Sequence, residues 1–301
     1  MKLTELLSGI ETLQRAGAPE TDITSLGFDS RHATAGQLFF AVKGSASDGH
    51  DYMAQATANG AAAVVCERLP EEPFPGVAYI VVADSSAALG TIASRFYGEP
   101  SHKLKLVGVT GTNGKTTTAT LLYDLFRRLG YKAGLISTVV YRIDNETLPS
   151  THTTPDAIRL NAMLAEMAER GCDYCFMEVS SHSIVQERIA GLTFAGGIFT
   201  NITHEHLDYH GTFAEYIRAK KRFFDHLPKG AFALVNTDDR NGAVMVQNSA
   251  ATTYTYALRS FSDFRCRILE NTPEGMLLEL DGQQVWTRFL GRFNACLLYT
   301  S

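Results

Sequence analysis

Residues 106–122 read LVGVTGTNGKTTTATLL, and the first question is whether this run is a phosphate-gripping loop. The common form has a glycine five positions before the glycine of Gly-Lys-Thr. That position holds Val109, and the nearer Gly111 leaves the shorter G-x-x-G-K-T. The physical requirements are met all the same. Leu104, Leu106, Val107 and Val109 make a short apolar run that predicts a strand leading in. Gly111, Asn113 and Gly114 tolerate left-handed backbone, so a tight nest of amides forms at little cost. Beyond Thr116, Leu121, Leu122, Leu125 and Leu129 recur at helical spacing, with Gly130 where a C-cap falls. Strand, nest and helix N-terminus in this order make a P-loop with a shortened entry. Lys115 is then the point charge for β/γ-phosphates, and Thr116 the hydroxyl for a magnesium ion. The competing reading is a glycine-rich turn with an ordinary surface lysine, and the flanking pattern weighs against it.

Composition bounds the rest. A chain of 301 residues with 45% hydrophobic content has room for about two domains with real cores. A net charge of −5 argues against a nucleic-acid binder. No stretch approaches ~18 uninterrupted apolar residues, so membrane insertion is not expected. The opening MKLTELLSGIETL carries Glu5 and Glu11 within its apolar pattern and reads as an amphipathic helix rather than a signal peptide. Five cysteines, an odd number without paired spacing, suit a reducing cytoplasm. Cys172 and Cys175 form a C-x-x-C, but they enter what looks like a buried strand, which favours a structural role.

Residues 1–100 mix short strands (QLFFAV, AAAVVC, VAYIVVAD) with helical patterns at 52–59 and in SSAALGTIASRFYG, and the proline-containing EPSHK reads as a linker. Residues 101–301 alternate strand and helix. The strands are the P-loop strand, YKAGLISTVVY, DYCFMEVSS, AGGIFTNI and GAFALVNTDD, with helices at 158–170 and 213–227. That alternation predicts an α/β chain whose second domain has a mostly parallel sheet with ligands at the carboxyl ends of the strands. From about Thr252 the texture changes to antiparallel hairpins, with turns at Pro273-Glu274-Gly275 and Asp281-Gly282.

Residues just past each strand should therefore carry chemistry. Glu178 ends one strand, where a carboxylate can hold a nucleotide's magnesium ion; otherwise it is a lone, partly buried glutamate. His204, Glu205, His206, Asp208 and His210 crowd the end of the next strand without the zincin spacing, and at least one histidine is expected at the metal-phosphate site. In FAEYIRAKKRFFDHL, Tyr216, Lys220 and Phe223 follow i, i+4, i+7, which puts a lysine on an aromatic face. Snorkelling explains that placement, and so does a lysine held for chemistry with its pKa lowered by burial. The residues alone leave both open.

GVTGTNGKTTT, MEVSSHSIVQERI and FTNITHEHLDYHGTFAEYIRAKKRFF together, in order and at compatible spacing, resemble the Mur ligase superfamily of ATP-dependent amide-bond formers. FDSRHATAGQLFFAVKG…DGHDY narrows the likeness to the branch that adds the third residue of the peptidoglycan stem peptide. The resemblance implies an N-terminal uridine-binding domain and a P-loop central domain. It implies that Gly111, Thr112, Asn113, Gly114, Lys115, Thr116 and Thr117 bind ATP, with Asn294 near the adenine. Thr116, Glu178 and His206 would serve two Mg2+ ions, and Lys220 would be carbamylated to N6-carboxylysine, making Lys115, Lys220, Glu178 and His206 the catalytic set. Phe28 and Ser30 match uridine-binding positions, with Ser45, Ala46 and Ser47 nearby. His152, Thr153, Thr154, Ser180, Gln186 and Arg188 match contacts to the muramoyl-dipeptide, His152 standing where many relatives have asparagine. The implied partners are UDP-N-acetylmuramoyl-dipeptide and a free amino acid, meso-diaminopimelate or L-lysine, on a monomer. The implied chemistry is an acyl phosphate attacked by an amine.

After LGRFNA, the segment CLLYTS departs from the family's pattern. The expectation is a fragment whose central domain is incomplete, whose amino-acid-selecting C-terminal domain is absent, and which does not turn over alone. The competing functions are a non-catalytic module that binds nucleotide and UDP-sugar, and another Mur-type or folylpolyglutamate ligase.

Overall fold

The computed structural model describes residues 1–17, 20–44, 47–150, 152–205, 207–280, 282–291 and 295. The chain divides into two compact units, one of residues 1–100, 156–162 and 186–192, the other of 101–155, 163–185 and 193–301.

The first unit opens with helix α1 (Leu3–Leu6), then strands β1 (Gln14–Ala16), β2 (Ser25–Gly27) and β3 (Gln37–Phe40), helix α2 (Met53–Ala58), β4 (Ala63–Cys66), β5 (Ala78–Val81) and helix α3 (Ser85–Phe96). The strands lie in the order β1-β5-β4-β3-β2, parallel except for β1. Alternation splits their side chains between two cores. Leu38, Phe40, Val65 and Ile80 face Leu3, Leu6, Leu89 and Ile92, while Phe39, Val64 and Tyr79 face Met53 and Ala56. Burial on both faces is why β3, β4 and β5 read as unbroken apolar runs rather than alternating ones. Residues 186–192 lean on α3 so closely that a Cβ on Gly90 would lie 2.7 Å from the Ala190 carbonyl oxygen.

In the second unit the elements are β6 (Lys105–Thr110), α4 (Lys115–Arg128), β7 (Ala133–Ile136), β8 (Val140–Ile143), β9 (Glu146–Pro149), α5 (Ala157–Glu169, whose first turns belong to the first unit), β10 (Tyr174–Glu178), α6 (Ser181–Val185) and β11 (Gly196–Phe199). Then come α7 (Leu207–His210), α8 (Phe213–Asp225), β12 (Phe232–Asn236), α9 (Gly242–Val246), β13 (Thr252–Ala257), β14 (Phe264–Thr272), β15 (Gly275–Leu280) and β16 (Gln283–Thr287). They form one sheet, β16-β15-β14-β13-β12-β11-β6-β10-β7-β8-β9, parallel from β14 to β7 and antiparallel at both ends. From β6 the chain first builds outward through β7 and β10, then crosses to β11 on the other side of β6. The P-loop leaves β6 at that switch point, where an open parallel sheet forms its ligand crevice.

Three expectations change. The opening helix is only α1, because the chain turns at Gly9 (φ +66°) and continues into β1. YKAGLISTVVY is two strands, β7 and β8, folded as a hairpin when the Ser137 hydroxyl and amide bond the Val140 carbonyl. TTYTYAL is not a hairpin strand. It is β13, which extends the parallel sheet beside β12, so the antiparallel part begins only at the pairing of β14 with β15. The Pro273–Gly275 turn joins β14 to β15 as expected, while Asp281 lies outside the described residues. Cys172 and Cys175 are buried, free thiols, and burial pushes the Cys172 thiol above its ordinary range. Among the described residues no helix is long and apolar enough to cross a membrane.

Helix α8 seats on the sheet because two strand positions lack a Cβ. One built on Gly108 would lie 2.6 Å from Phe223 Cζ and 2.9 Å from Val179 Cγ2, and one on Gly197 would lie 2.7 Å from Phe223 Cε1. Gly108→Ala is therefore expected to destabilise the second unit by about 1–3 kcal/mol through overpacking. Gly230→Ala, where a Cβ meets nothing within 4 Å, should stay within about 0.5 kcal/mol of the parent. Urea midpoints followed by far-UV circular dichroism measure the difference, and equal midpoints for the two variants would refute this account of the packing.

Candidate functional site

The loop after β6 is fastened to the strand beside it. Gly111 has φ +152°, and a Cβ there would stand 2.0 Å from Thr200 Oγ1, so only glycine permits this approach. The Thr112 amide donates to the Asn201 carbonyl at 2.7 Å and the Asn113 amide to Asn201 Oδ1 at 3.0 Å. Thr200 Oγ1 and Asn201 Nδ2 both donate to the Asn113 carbonyl, at 2.7 and 3.0 Å. Thr112 Oγ1 accepts from the Thr203 amide and meets the Tyr216 hydroxyl at 3.2 Å. Gly114 caps α4 with φ +86°. The first amides of α4, on Lys115, Thr116 and Thr117, have no helical carbonyl to receive them and carry the positive end of the helix dipole. That is an anion site by construction.

Two lysines meet under this loop. Lys220 Nζ donates to the Gly111 carbonyl at 2.8 Å, and Lys115 Nζ donates to the same oxygen at 3.0 Å and to the Thr112 carbonyl at 2.7 Å. Lys220 is 1% exposed, with its Nζ 4.7 Å from the centre of the Tyr216 ring. Burial, then the charge of Lys115, pulls the Lys220 amine well below its ordinary 10.5, with Glu205 opposing. Burial also lowers Lys115, with Glu178 and Glu205 opposing. Of the two readings of Lys220, snorkelling does not describe this side chain, because its amine is buried rather than extended to water.

Glu178 ends β10 at 1% exposure. Its carboxylate accepts from Thr116 Oγ1 (2.8 Å), the Thr138 amide (2.6 Å) and Thr138 Oγ1 (3.2 Å). Among the described residues no cationic side chain makes an ion pair with it. A buried carboxylate answered only by neutral donors, with a threonine hydroxyl alongside, is a hard-oxygen pair suited to Mg2+. His206 lies outside the described residues, and among those described no cluster of three His, Cys, Asp or Glu side chains gathers as metal ligands. His204 stacks on Phe213 at 4.0 Å between ring centres, and His210 Nε2 meets Ser181 Oγ at 2.9 Å.

The remaining sequence-derived candidates fall in two groups. In the second unit, the His152 amide donates to the Tyr141 hydroxyl, Thr153 Oγ1 lies 3.1 Å from Thr138 Oγ1, Thr154 Oγ1 donates to the Glu178 carbonyl, and Ser180 Oγ accepts from the Ser183 amide. Thr138 thus joins Thr153 to the Glu178 carboxylate. In the first unit, Gln186 Oε1 accepts two hydrogen bonds from the Arg188 guanidinium. Phe28 is 41% exposed and lines a cleft of about 310 Å³, whose apolar wall also includes Leu26, Tyr97 and Ile158. Ser30 is turned away from that cleft: it is buried, and its hydroxyl donates to Gln55 Oε1 at 2.7 Å. Ser47 is exposed loop whose carbonyl accepts from the Gly44 amide at 2.9 Å, and Ser45, Ala46 and Asn294 lie outside the described residues.

Sequence reasoning passed over Thr138, Thr200, Asn201 and Gln37. The first three sit just past β7 and β11, where the strand-end rule already pointed. Gln37 begins a strand and gave no signal.

The Mur ligase middle-domain model matches residues 109–296 and the Mur ligase catalytic-domain model residues 22–97. The UDP-N-acetylmuramoyl-L-alanyl-D-glutamate--2,6-diaminopimelate ligase of Bacteroides thetaiotaomicron is 56% identical over 98% of this chain and 61% of its own length. The ligase of the same name from Cytophaga hutchinsonii is 55% identical over the same shares. A solved structure of a ligase with that name superposes with a TM-score of 0.85 at 27% identity, over 99% of this chain and 62% of that one. The chain spans about three-fifths of the length of these curated relatives. With both family models matched in order along one chain, and the P-loop, Glu178 and Lys220 converging in the second of the two matched regions, this protein belongs to the Mur ligase family.

Proposed function

We propose that the chain supplies the nucleotide-sugar and ATP modules of an ATP-dependent amide ligase that adds 2,6-diaminopimelate to UDP-N-acetylmuramoyl-L-alanyl-D-glutamate. The observation that carries this reading is the P-loop beside a buried, magnesium-suited carboxylate and a buried lysine amine, in a chain so similar to ligases of that name. In the first step a carboxylate oxygen of the dipeptide attacks the γ-phosphorus of ATP, the bond to the β-phosphate oxygen breaks, and ADP leaves. In the second the amino nitrogen attacks the acyl carbon, phosphate departs, the nitrogen loses a proton and an amide remains. Such chemistry rests on positioning and on neutralising phosphate charge. The α4 amides and Lys115 hold the phosphates. Thr116 and Glu178, with His206, would hold Mg2+, which supplies Lewis-acid neutralisation of the phosphoryl oxygens.

Lys220 suits carboxylation because burial and the nearby Lys115 charge favour its neutral amine. Nitrogen bonds the carbon of CO2 and loses a proton, leaving a carboxylate on a long stem that can ligate metal. The reading assigns Phe28, Ser30 and residues 45–47 to the uridine end, and His152, Thr153, Thr154, Ser180, Gln186 and Arg188 to the dipeptide. It further holds that the protein works as a monomer in the cytoplasm.

Calorimetric titration tests the ATP module first. Lys115→Ala should weaken MgATP binding by at least about tenfold, since a charge-assisted hydrogen bond is lost; affinity like the parent's would remove the P-loop assignment. Amino-acid-dependent phosphate release with MgATP and UDP-muramoyl-dipeptide, comparing diaminopimelate with lysine in the full-length ligase, tests the substrate. Preference for lysine would overturn the choice of amino acid.

Lys220 gives two readouts. Supplied with 13C-bicarbonate, the parent should show a carbamate carbon resonance that Lys220→Ala lacks, and the full-length Lys220→Ala ligase should regain partial turnover with acetate. The carboxylation assignment is falsified if parent and variant spectra coincide. In carbonate-free buffer, the folded chain binds fewer protons than the unfolded chain between the lowered Lys220 value and 10.5. Stability therefore rises with pH across that window. Lys220→Met should flatten the rise and stabilise the chain most at its lower end; an unchanged slope would mean the amine is not desolvated.

A further inference from the structure

The cleft of the first unit contains an unmet hydrogen-bonding demand. Gln37 opens β3 and is 7% exposed, it lines the cleft, and its Oε1 has no hydrogen-bond partner. Among the described residues seven buried side-chain atoms have no hydrogen-bond partner, and Gln37 Oε1 is the one of them whose residue lines this cleft, where a ligand can complete it. The amide reaches its place because β2 ends in glycine: a Cβ on Gly27 would stand 2.5 Å from Gln37 Nε2 and 2.7 Å from Cδ. Around it Leu26, Phe28, Tyr97 and Ile158 supply apolar wall, and Asp29, His32, Asp156 and Arg159 also line the cleft. A volume of about 310 Å³ is at the lower end for a small-molecule site and fits one end of a nucleotide-sugar rather than the whole of it.

We propose that Gln37 reads the base of a uridine nucleotide, its Oε1 accepting the uracil N3–H while the apolar walls take the faces of the ring. This rests on the nucleotide-sugar reading above and adds the residue that sets base specificity. Uracil presents one donor, N3–H, between two carbonyl acceptors, whereas cytosine presents a bare acceptor at N3. With Oε1 presented to the ring the site favours uracil, and it penalises cytosine because two lone pairs would face each other with no proton between them. A site built around a hydrogen bond rejects ligands lacking the matching group more strongly than an apolar pocket can.

The test is calorimetric titration of UDP, N3-methyl-UDP and CDP into the parent chain, Gln37→Met and Gln37→Ala. Methionine keeps the volume and burial of the strand, and circular dichroism checks that each variant is folded. The parent should bind UDP at least about tenfold more tightly than either other nucleotide, and the folded variants should bind all three within about twofold of one another. The imino proton of bound UDP should exchange slowly in the parent and rapidly in Gln37→Met. Retention of the parent's discrimination in folded Gln37→Met overturns the proposal, as does a parent that binds the three nucleotides equally. If UDP-muramoyl-dipeptide itself fails to bind the parent, the nucleotide-sugar reading falls; if it binds while the nucleotides are not discriminated, only the role of Gln37 falls.

Discussion

One backbone carbonyl, that of Gly111, receives two lysine amines, and the active edge is organised around that sharing. Two ammonium groups on one oxygen in a buried place would repel each other strongly, which disfavours the charged form of the less accessible one. For Lys220, burial and the neighbouring Lys115 both pull the amine well below its ordinary 10.5. The Gly111 carbonyl can turn toward them only because residue 111 lacks a side chain and presses against Thr200. Loop conformation, strand order and lysine chemistry are therefore one constraint. A side chain at 111 would push the loop from β11, release the carbonyl and leave Lys220 buried without an acceptor, which is costlier than never having paired it.

Much of this was legible beforehand, for definite reasons. Lys115 and Thr116 follow from a strand, glycines and a helix in sequence, all local signals. Glu178 follows from the strand-end rule once the parallel sheet is inferred. Lys220 was marked as odd by helical spacing alone, since Tyr216 and Phe223 fix which face it shares, and the structure puts its amine beside the Tyr216 ring. What spacing could not decide was whether the amine reached water, because that depends on the P-loop roof about a hundred residues away in sequence.

The misses are equally physical. Asn201 and Thr200 hold the P-loop through contacts that exist only when β11 lies beside β6, and pairing order is not written in either strand. TTYTYAL has the β-branched and aromatic content of any strand, so composition could not tell a parallel partner from an antiparallel one. The opening helix failed because an apolar pattern of a few residues is compatible with a single turn followed by a strand, and Gly9 ends it. The bond between the Ser30 hydroxyl and Gln55 joins residues 25 apart, a pairing that no local pattern announces.

The two units use opposite devices to make a binding surface from a parallel sheet. At the end of β6 the second unit holds its charged groups internally: Lys115 rests on its own loop and Glu178 on two threonines, so these side chains are pre-organised. Beside the end of β2 the first unit leaves the Gln37 acceptor unanswered in a cleft with largely apolar walls. The first arrangement suits chemistry, because groups already held in place need little reorganisation when charge develops. The second suits recognition, because an unpaired buried atom contributes little to affinity for the wrong partner and penalises it instead. In the reading proposed above, the two arrangements are complementary: a permissive electrostatic cradle for a nucleotide common to many enzymes, and a discriminating cleft for a more particular ligand.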